Sequence, residues 1–398
     1  MASSEISRLI VAGGYYLERC LTPQVEEFFG SGGRAAAAIA GFAPVKLHTF
    51  APSDLSADVT LNMAGFGVDV EIHPSPDLIE FSYHFPLSPP RISPIPLPRA
   101  ADARVTGSRV LRFGCLEGEM IVDARQAVYD PQSGALPSPF KANGSKADEL
   151  ALVLNEGELF ALGGGSDRDS AVRALGDQPA VVVVKAGPEG ALVYEAGVFV
   201  GSVPAYQSAS VYKIGSGDIF SAMFAYAWMA KGAAPLDAAD AASRYTAHYV
   251  ETRHPSLPAS PPTKQPYRPG RSRRFVYLAG PFFSAQQIWT LEETHSALLG
   301  LGIEHFSPLH DVGWRPDDEV AELDLLGLDK AEVVLALLYD MDPGTLFEIG
   351  YACRNGKEVL VVVEDEGEHD LTMLRGTGCK IYRDLATAIY STAWASMT

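Results

Sequence analysis

The sequence predicts an α/β protein with two parallel-sheet domains, the first carrying a small β lid. Three observations predict it. The chain has 398 residues, more than a single hydrophobic core usually organises. Short apolar runs alternate with small-residue or amphipathic stretches, the rhythm of buried strands and crossover helices. One segment, Pro255–Arg274, breaks that rhythm with six prolines and five basic residues. Proline fixes φ and removes a donor, so this stretch suits a semi-rigid linker. The expected organisation is a domain over 1–254, a Pro-rich basic linker over 255–274 and a smaller domain over 275–398.

In the first domain, strands are expected at Arg8–Ala12, Val45–Phe50, Arg109–Phe113, Ala151–Leu154 and Ala180–Lys185, with a helix in GGRAAAAIAG. Alternation between Thr60 and Leu97 (VDVEI, LIEFSYHF), closed by proline-dense PLSPPRISPIPLP, predicts an antiparallel flap outside the main sheet. The last 124 residues repeat the rhythm: strand 275–279, helix 286–299, strand 333–338, helix 346–354, strand 358–363.

Composition narrows the function classes. Lys+Arg minus Asp+Glu is 31 − 49 = −18, and from Phe275 onward 7 basic residues face 21 acidic ones. So acidic a surface repels phosphate backbones and anionic lipid, and argues against nucleic acid or membrane partners. Cys20, Cys115, Cys353 and Cys379 form no CxxC pair, so no structural metal and no disulfide framework is expected. With no long apolar run and no secretory pattern at the start, the expectation is a cytoplasmic protein. His248, His254, His295, His305 and His310 show no ligand spacing and read as packing or solvated groups; Glu364–Asp370 reads as an exposed loop.

KIGSGDIFSAMFAYAWMAKG reads as a glycine-rich turn opening a helix. The Gly215, Ser216 and Gly217 amides, at a positive dipole end, make a site for phosphate or a developing anion. Asp218 in that first turn is either a dipole-favoured acid or a general base for a hydroxyl attacking a phosphoryl group. Asn155 and Glu158 follow a strand with the spacing of a capping box. Together with Gly32-Gly33 and the hairpin KAGPEGALVY (Lys185–Tyr194), these motifs resemble the PfkB (ribokinase-like) carbohydrate and nucleoside kinases. The resemblance implies a three-layer sandwich with a β lid, Asp218 as catalytic base and Gly215–Gly217 as anion hole. It implies Asn155 and Glu158 organising Mg²⁺ and the phosphates of ATP, with Glu18, Gly32 and Gly33 at the sugar. Tyr212 stands where the family usually has Asp, and Lys213 where Thr is common.

VVLALLYDMDPGTLFEIGYACRNGKEVLVVVE carries the second constellation. A buried strand ends in a turn bearing Asp342, and Thr345-x-x-Glu348 reads either as a capping box or as a reactive carboxylate at the carboxyl end of a sheet. EVAELDLLGLDKAE adds Asp324. Paired carboxylates beside a sugar suit glycosyl chemistry, one as nucleophile and one as acid/base. With YLAGPFF (277–283) and DPGTLFEIGYA (342–352), this half resembles the nucleoside 2-deoxyribosyltransferases. That implies a Rossmann/flavodoxin-like sheet and Glu348 as nucleophile. It also implies Asp324 and Asp342 at the base, Tyr277, Gly280, Phe282 and Met373 about the nucleoside, no cofactor, and a homo-oligomer.

The expected function is bifunctional: ATP-dependent phosphorylation of a sugar or nucleoside hydroxyl, and N-glycosidic cleavage or base exchange. Two other readings stay open. The first half could be a ligand-sensing module controlling a nucleotide or dinucleotide N-glycosidase, or the second half a nucleoside 5′-monophosphate hydrolase. The partners are small molecules: nucleosides, nucleotides or sugars.

Overall fold

The computed structural model describes residues 8–132, 137–165, 167–176, 179–268, 270, 272–363 and 371–397; the acidic loop expected at 364–370 lies outside the described residues. The chain divides into two compact units. One holds Met1–Ser208 with Tyr212–Pro266, the other Ala209–Val211 with Tyr267–Thr398. No described helix is long and apolar enough to cross a membrane.

The first unit contains strands β1 (Leu9–Ala12), β2 (Leu17–Cys20), β3 (Val25–Phe28), β4 (Val45–Ala51), β5 (Asp69–Pro74), β6 (Glu80–Tyr83), β7 (Arg91–Ser93), β8 (Ala103–Phe113), β9 (Met120–Asp130), β10 (Lys146–Asn155), β11 (Val181–Lys185), β12 (Ala191–Glu195) and β13 (Val198–Val203). Its helices are α1 (Gly30–Ala40), α2 (Ser56–Ala64), α3 (Glu156–Gly163), α4 (Arg168–Ala174), α5 (Ser216–Ala225) and α6 (Pro235–Thr252). Nine strands form one sheet in the order β13-β12-β11-β10-β9-β8-β1-β4-β5, parallel except at the β11–β12–β13 end. Residues from α1, α2, α5 and α6 share one buried apolar cluster, and α3 and α4 contribute to another. Opposite faces of β1 and β10 supply the two clusters, which gives three layers.

The lid is a separate sheet, β3-β2-β6-β7. It corrects the expected flap in two ways. DVEI lies in β5, the edge strand of the main sheet, and Thr60 lies inside α2. The flap also contains a parallel pair, β2 with β6. Alternation marks a half-buried strand but not its sheet, and an edge strand alternates as readily as a lid strand.

The second unit has β14 (Val276–Ala279), α7 (Ala285–Gly300), β15 (His305–Phe306), α8 (Asp317–Lys330), β16 (Val333–Leu337), α9 (Pro343–Arg354), β17 (Glu358–Val362), α10 (Thr372–Gly376), β18 (Lys380–Tyr382) and α11 (Leu385–Ser396). Its five strands are all parallel, in the order β15-β14-β16-β17-β18. The first strand in sequence therefore sits second in the sheet, so the chain reverses direction between β14 and β16. Ligands of open parallel sheets bind in the crevice beyond the strand ends at such a reversal.

Candidate active sites

In the first unit, the final residues of three neighbouring strands carry polar side chains: Asp130 of β9, Asn155 of β10 and Lys185 of β11. A cleft of about 860 Å³ opens over them, with Glu18, Phe81 and Tyr83 of the lid on its other side. Helix α5 starts at this cleft. Gly215 adopts the left-handed region at φ 77°, and a Cβ there would collide with the Arg34 guanidinium, so the entry to α5 requires glycine. The Ser216 amide, expected in the anion hole, donates instead to the Lys213 carbonyl at 3.1 Å; the amides after it lie at the positive dipole end of α5, which suits an anion. Lys213 donates to the Ser216 hydroxyl at 2.8 Å, and Lys185 donates to Asp130 at 2.6 Å. Burial and the neighbouring Lys185 charge push Lys213 down to about 8.

Asp218 lines this cleft with both oxygens engaged. Arg34 Nη1 donates to Oδ2 and Gln132 Nε2 to Oδ1, each at 2.8 Å. Arg34 is only 1% exposed and also donates to Glu18 of the lid strand β2. Burial pushes Asp218 up to about 6 against the opposing pull of the guanidinium. Arg34 is the principal site residue that motif reading missed. Its signal was present: it is the lone charge in the run GSGGRAAAAIAG, and a buried arginine there needs carboxylate partners. Ser31 was missed too; its hydroxyl is buried, has no hydrogen-bond partner among the described residues, and lines the cleft.

Asn155 and Glu158 also line the cleft and form a complete capping box. Asn155 Oδ1 accepts from the Glu158 amide at 2.9 Å and Glu158 Oε2 from the Asn155 amide at 2.7 Å. Gly32 and Gly33 do not line the cleft. A Cβ on Gly32 would meet the Gly13 backbone and one on Gly33 the Tyr15 ring, so both serve the packing of α1.

In the second unit, a cleft of about 320 Å³ lies at the direction reversal between β14 and β16. Gly280 and Phe282 line it from the loop after β14, Asp324 from α8, and Asp342 and Glu348 from the turn and helix after β16. Asp340 and Met341 take positive φ values of 53° and 50°, an uncommon pair for non-glycine residues that turns the chain sharply into α9. Asp342 caps that helix, its Oδ2 accepting from the Thr345 amide at 2.7 Å and hydroxyl at 2.8 Å. This corrects the Thr345–Glu348 capping box, because helix α9 begins two residues before Thr345.

With the cap supplied by Asp342, Glu348 turns to the sheet and accepts a hydrogen bond from the Tyr277 hydroxyl. Burial, with Asp324 and Asp342 nearby, pushes Glu348 up to about 7, while the Tyr277 bond acts in the opposite direction. Burial also raises Asp324 to about 6, and its Oδ1 has no hydrogen-bond partner among the described residues. Tyr277 is fully buried beneath Glu348 with its ring stacked on Phe306, so it touches the carboxylate rather than the cleft. Met373 is 73% exposed on α10 and does not line the cleft. Trp314, which no motif indicated, stands exposed at the cleft with Phe283 of the YLAGPFF run, and Phe282 packs edge-on against it. An exposed tryptophan in an acidic segment was its available signal.

The family model "pfkB family carbohydrate kinase" matches residues 134–261, and "Nucleoside 2-deoxyribosyltransferase" matches residues 276–382. No curated protein matches the chain significantly. Among solved structures, the chain is similar to a pyrophosphate-dependent kinase in the ribokinase family complexed with a pyrophosphate analog and myo-inositol. That alignment has 16% identity, 63% of this chain, 97% of the other and a TM-score of 0.46. A fructokinase from Vibrio cholerae O395 bound to fructose, ADP and calcium gives 17% identity, 63% and 95% coverage and a TM-score of 0.49. A ribokinase from Thermotoga maritima gives 17%, 61% and 92%, and 0.44. Two family models thus match successive stretches of the chain, the pfkB family carbohydrate kinases first and the nucleoside 2-deoxyribosyltransferases second.

Proposed function

We propose that the second unit breaks an N-glycosidic bond through a glycosyl ester on Glu348. The observation that carries this reading is the Glu348 carboxyl, lining the cleft and fixed by Tyr277, in a cleft that also holds Asp324, whose Oδ1 has no hydrogen-bond partner among the described residues. A glycosyl group develops positive charge at C1′ as its base departs. Among the described residues the cleft supplies Asp317, Asp324, Asp342 and Glu348 against one cation, Arg315, a lining that favours such a positive charge. Phe282, Phe283 and Trp314 offer apolar faces to a nucleobase.

Glu348 forms the bond to C1′ as the C1′–N bond breaks; its electron pair goes to the base nitrogen, which takes a proton from Asp324. Water or an incoming base then attacks C1′, gives its proton to Asp324, and releases the Glu348 carboxylate. Incubation of the protein with a mixed nucleoside and nucleotide pool, followed by mass spectrometry, tests this. Free base should accumulate from one substrate class, and a pool left unchanged would defeat it. Met373, exposed and outside its own cleft, suits a homo-oligomer in which a neighbouring copy completes the site.

For the first unit the reading is phosphoryl transfer to a sugar or nucleoside hydroxyl, in a domain over 1–254 joined by the 255–274 linker. Bound ATP with Mg²⁺ would supply the phosphoryl group and partly neutralise its charge. The start of α5, Lys185 and Lys213 fit such an anion, with Asn155 and Glu158 on the same cleft wall. Asp218 would accept the hydroxyl proton and Glu18 would hold the sugar. The Arg34–Asp218 pair favours a second reading, a ligand-sensing module, because both Asp218 oxygens already accept hydrogen bonds from the protein. Labelled ATP with a panel of nucleosides and pentoses separates the two. Transfer that is lost in Asp218→Asn supports the kinase; binding without turnover that alters base release supports the sensor.

A further inference from the structure

Outside both clefts, β4 and β5 bring together His48, Glu71 and His73. In the parallel register His48 lies opposite Glu71, and His73 follows two residues along β5, so all three side chains leave one face of the sheet. His48 Nδ1 is 3.4 Å from His73 Nε2 and 3.8 Å from Glu71 Oε1, and the three ligand atoms lie within 4.8 Å of one another. Tetrahedral coordination with bonds of roughly 2.0–2.1 Å places neighbouring ligand atoms about 3.4 Å apart. Three such atoms at this spacing leave room for an ion between them.

The surroundings orient the set. Lys46 takes the other carboxylate oxygen, Oε2, which leaves Oε1 turned to His48. His48 is 6% exposed, and the Phe50 ring lies 5.8 Å from that of His73, so one wall is apolar. The Glu71 side chain is 45% exposed, so the opposite side opens to solvent. Two imidazoles and one carboxylate match borderline first-row ions; Mg²⁺ and Ca²⁺ prefer oxygen ligands alone.

The geometry points to a divalent transition-metal site of the Zn²⁺ or Co²⁺ class, held by His48, Glu71 and His73 with its remaining positions open to water or a small ligand. Because β5 is the edge strand, the ion would tie the edge of the main sheet to β4. No step of the proposed chemistry needs it.

The test uses the full chain without a polyhistidine tag, stripped with a chelator and titrated with Co²⁺ under visible absorption, then with Zn²⁺ as competitor. A d–d band that saturates at one ion per chain and is displaced by Zn²⁺ is the expected result. His73→Ala and Glu71→Ala, both at solvent-accessible positions, should each abolish it while circular dichroism stays native. A second imidazole cluster serves as the control: His295 Nδ1 lies 2.8 Å from His305 Nε2, with His310 stacked on His295. His295→Ala should leave the band intact. Absence of a band, or a band that survives His73→Ala and disappears in His295→Ala, would overturn the assignment.

Discussion

The two clefts place the same kind of group in the same kind of position and treat it in opposite ways. Asp218 and Glu348 both lie on a helix that borders a cleft, and both are raised by burial. Asp218 is ion-paired to a buried arginine, in a cleft that also contains Lys185, Lys213 and Arg112. Among the described residues Glu348 has no cation as a partner; it has a tyrosine hydroxyl and two further acids nearby. A cleft that sets Arg99, Arg112, Lys185 and Lys213 among its acids can hold a phosphorylated ligand, whereas one lined mostly by acids suits a transition state that gains positive charge. The charge around each carboxylate, more than the carboxylate itself, separates the two chemistries.

The strongest way to break this contrast is to neutralise Glu348. Glu348→Gln should lower base release by at least about 10³-fold, since the nucleophile is gone. Loss of under tenfold would show that the acid lining, not Glu348, does the chemistry. Asp218→Asn should lower phosphoryl transfer by about 10²–10⁴-fold, the usual range for a general base; an unchanged rate assigns the first unit to sensing.

Arg34→Met probes the charge balance directly. It leaves Asp218 and Glu18 buried without their cation and should cost about 3–5 kcal/mol. Buried unpaired carboxyls hold their protons tightly in the folded state, so the cost is present above the raised values and shrinks as pH falls toward the unfolded range near 4. Denaturant melts at pH 8 and pH 5 should therefore differ, with the larger loss at pH 8.

Tyr277→Phe sharpens the account of the second cleft. The hydroxyl favours ionised Glu348, so its removal should move the rising limb of base release to higher pH. A displacement of one unit lowers the rate about tenfold below both values, and a parallel drop at all pH would indicate lost packing alone. The smallest effect concerns stability. Glu348 is raised to about 7, so its ionisation opposes folding above that pH and not below its unfolded value near 4. Glu348→Gln should gain on the order of 1 kcal/mol at pH 8 relative to pH 4.

The principal strands were legible because a buried parallel strand is a continuous apolar run, as VVVVK and VVLAL show. The β14–β16 reversal was legible only as a motif, YLAGPFF, since strand order leaves no local trace. Residues that act through partners distant in sequence were the hard part. Arg34 is defined by Asp218, 184 positions away, and the lid sheet by the β2–β6 pairing. The Thr345–Glu348 cap failed because two patterns overlap: Asp342 is also an N-cap residue type, three positions before Thr345, and the structure uses it. Gly32-Gly33, expected at the sugar, also has a packing role that the motif does not reveal: Gly32 lets α1 approach Gly13, and Gly33 makes room for the Tyr15 ring.

The most direct test is to trap the intermediate. Substrate found in the nucleoside and nucleotide pool should be mixed with the full chain, quenched within one turnover, digested and analysed by mass spectrometry. A glycosyl adduct on the peptide containing Glu348, absent from Glu348→Gln, is the predicted result. Base release by Glu348→Gln at the unmodified protein's rate, with no adduct on either, would contradict it.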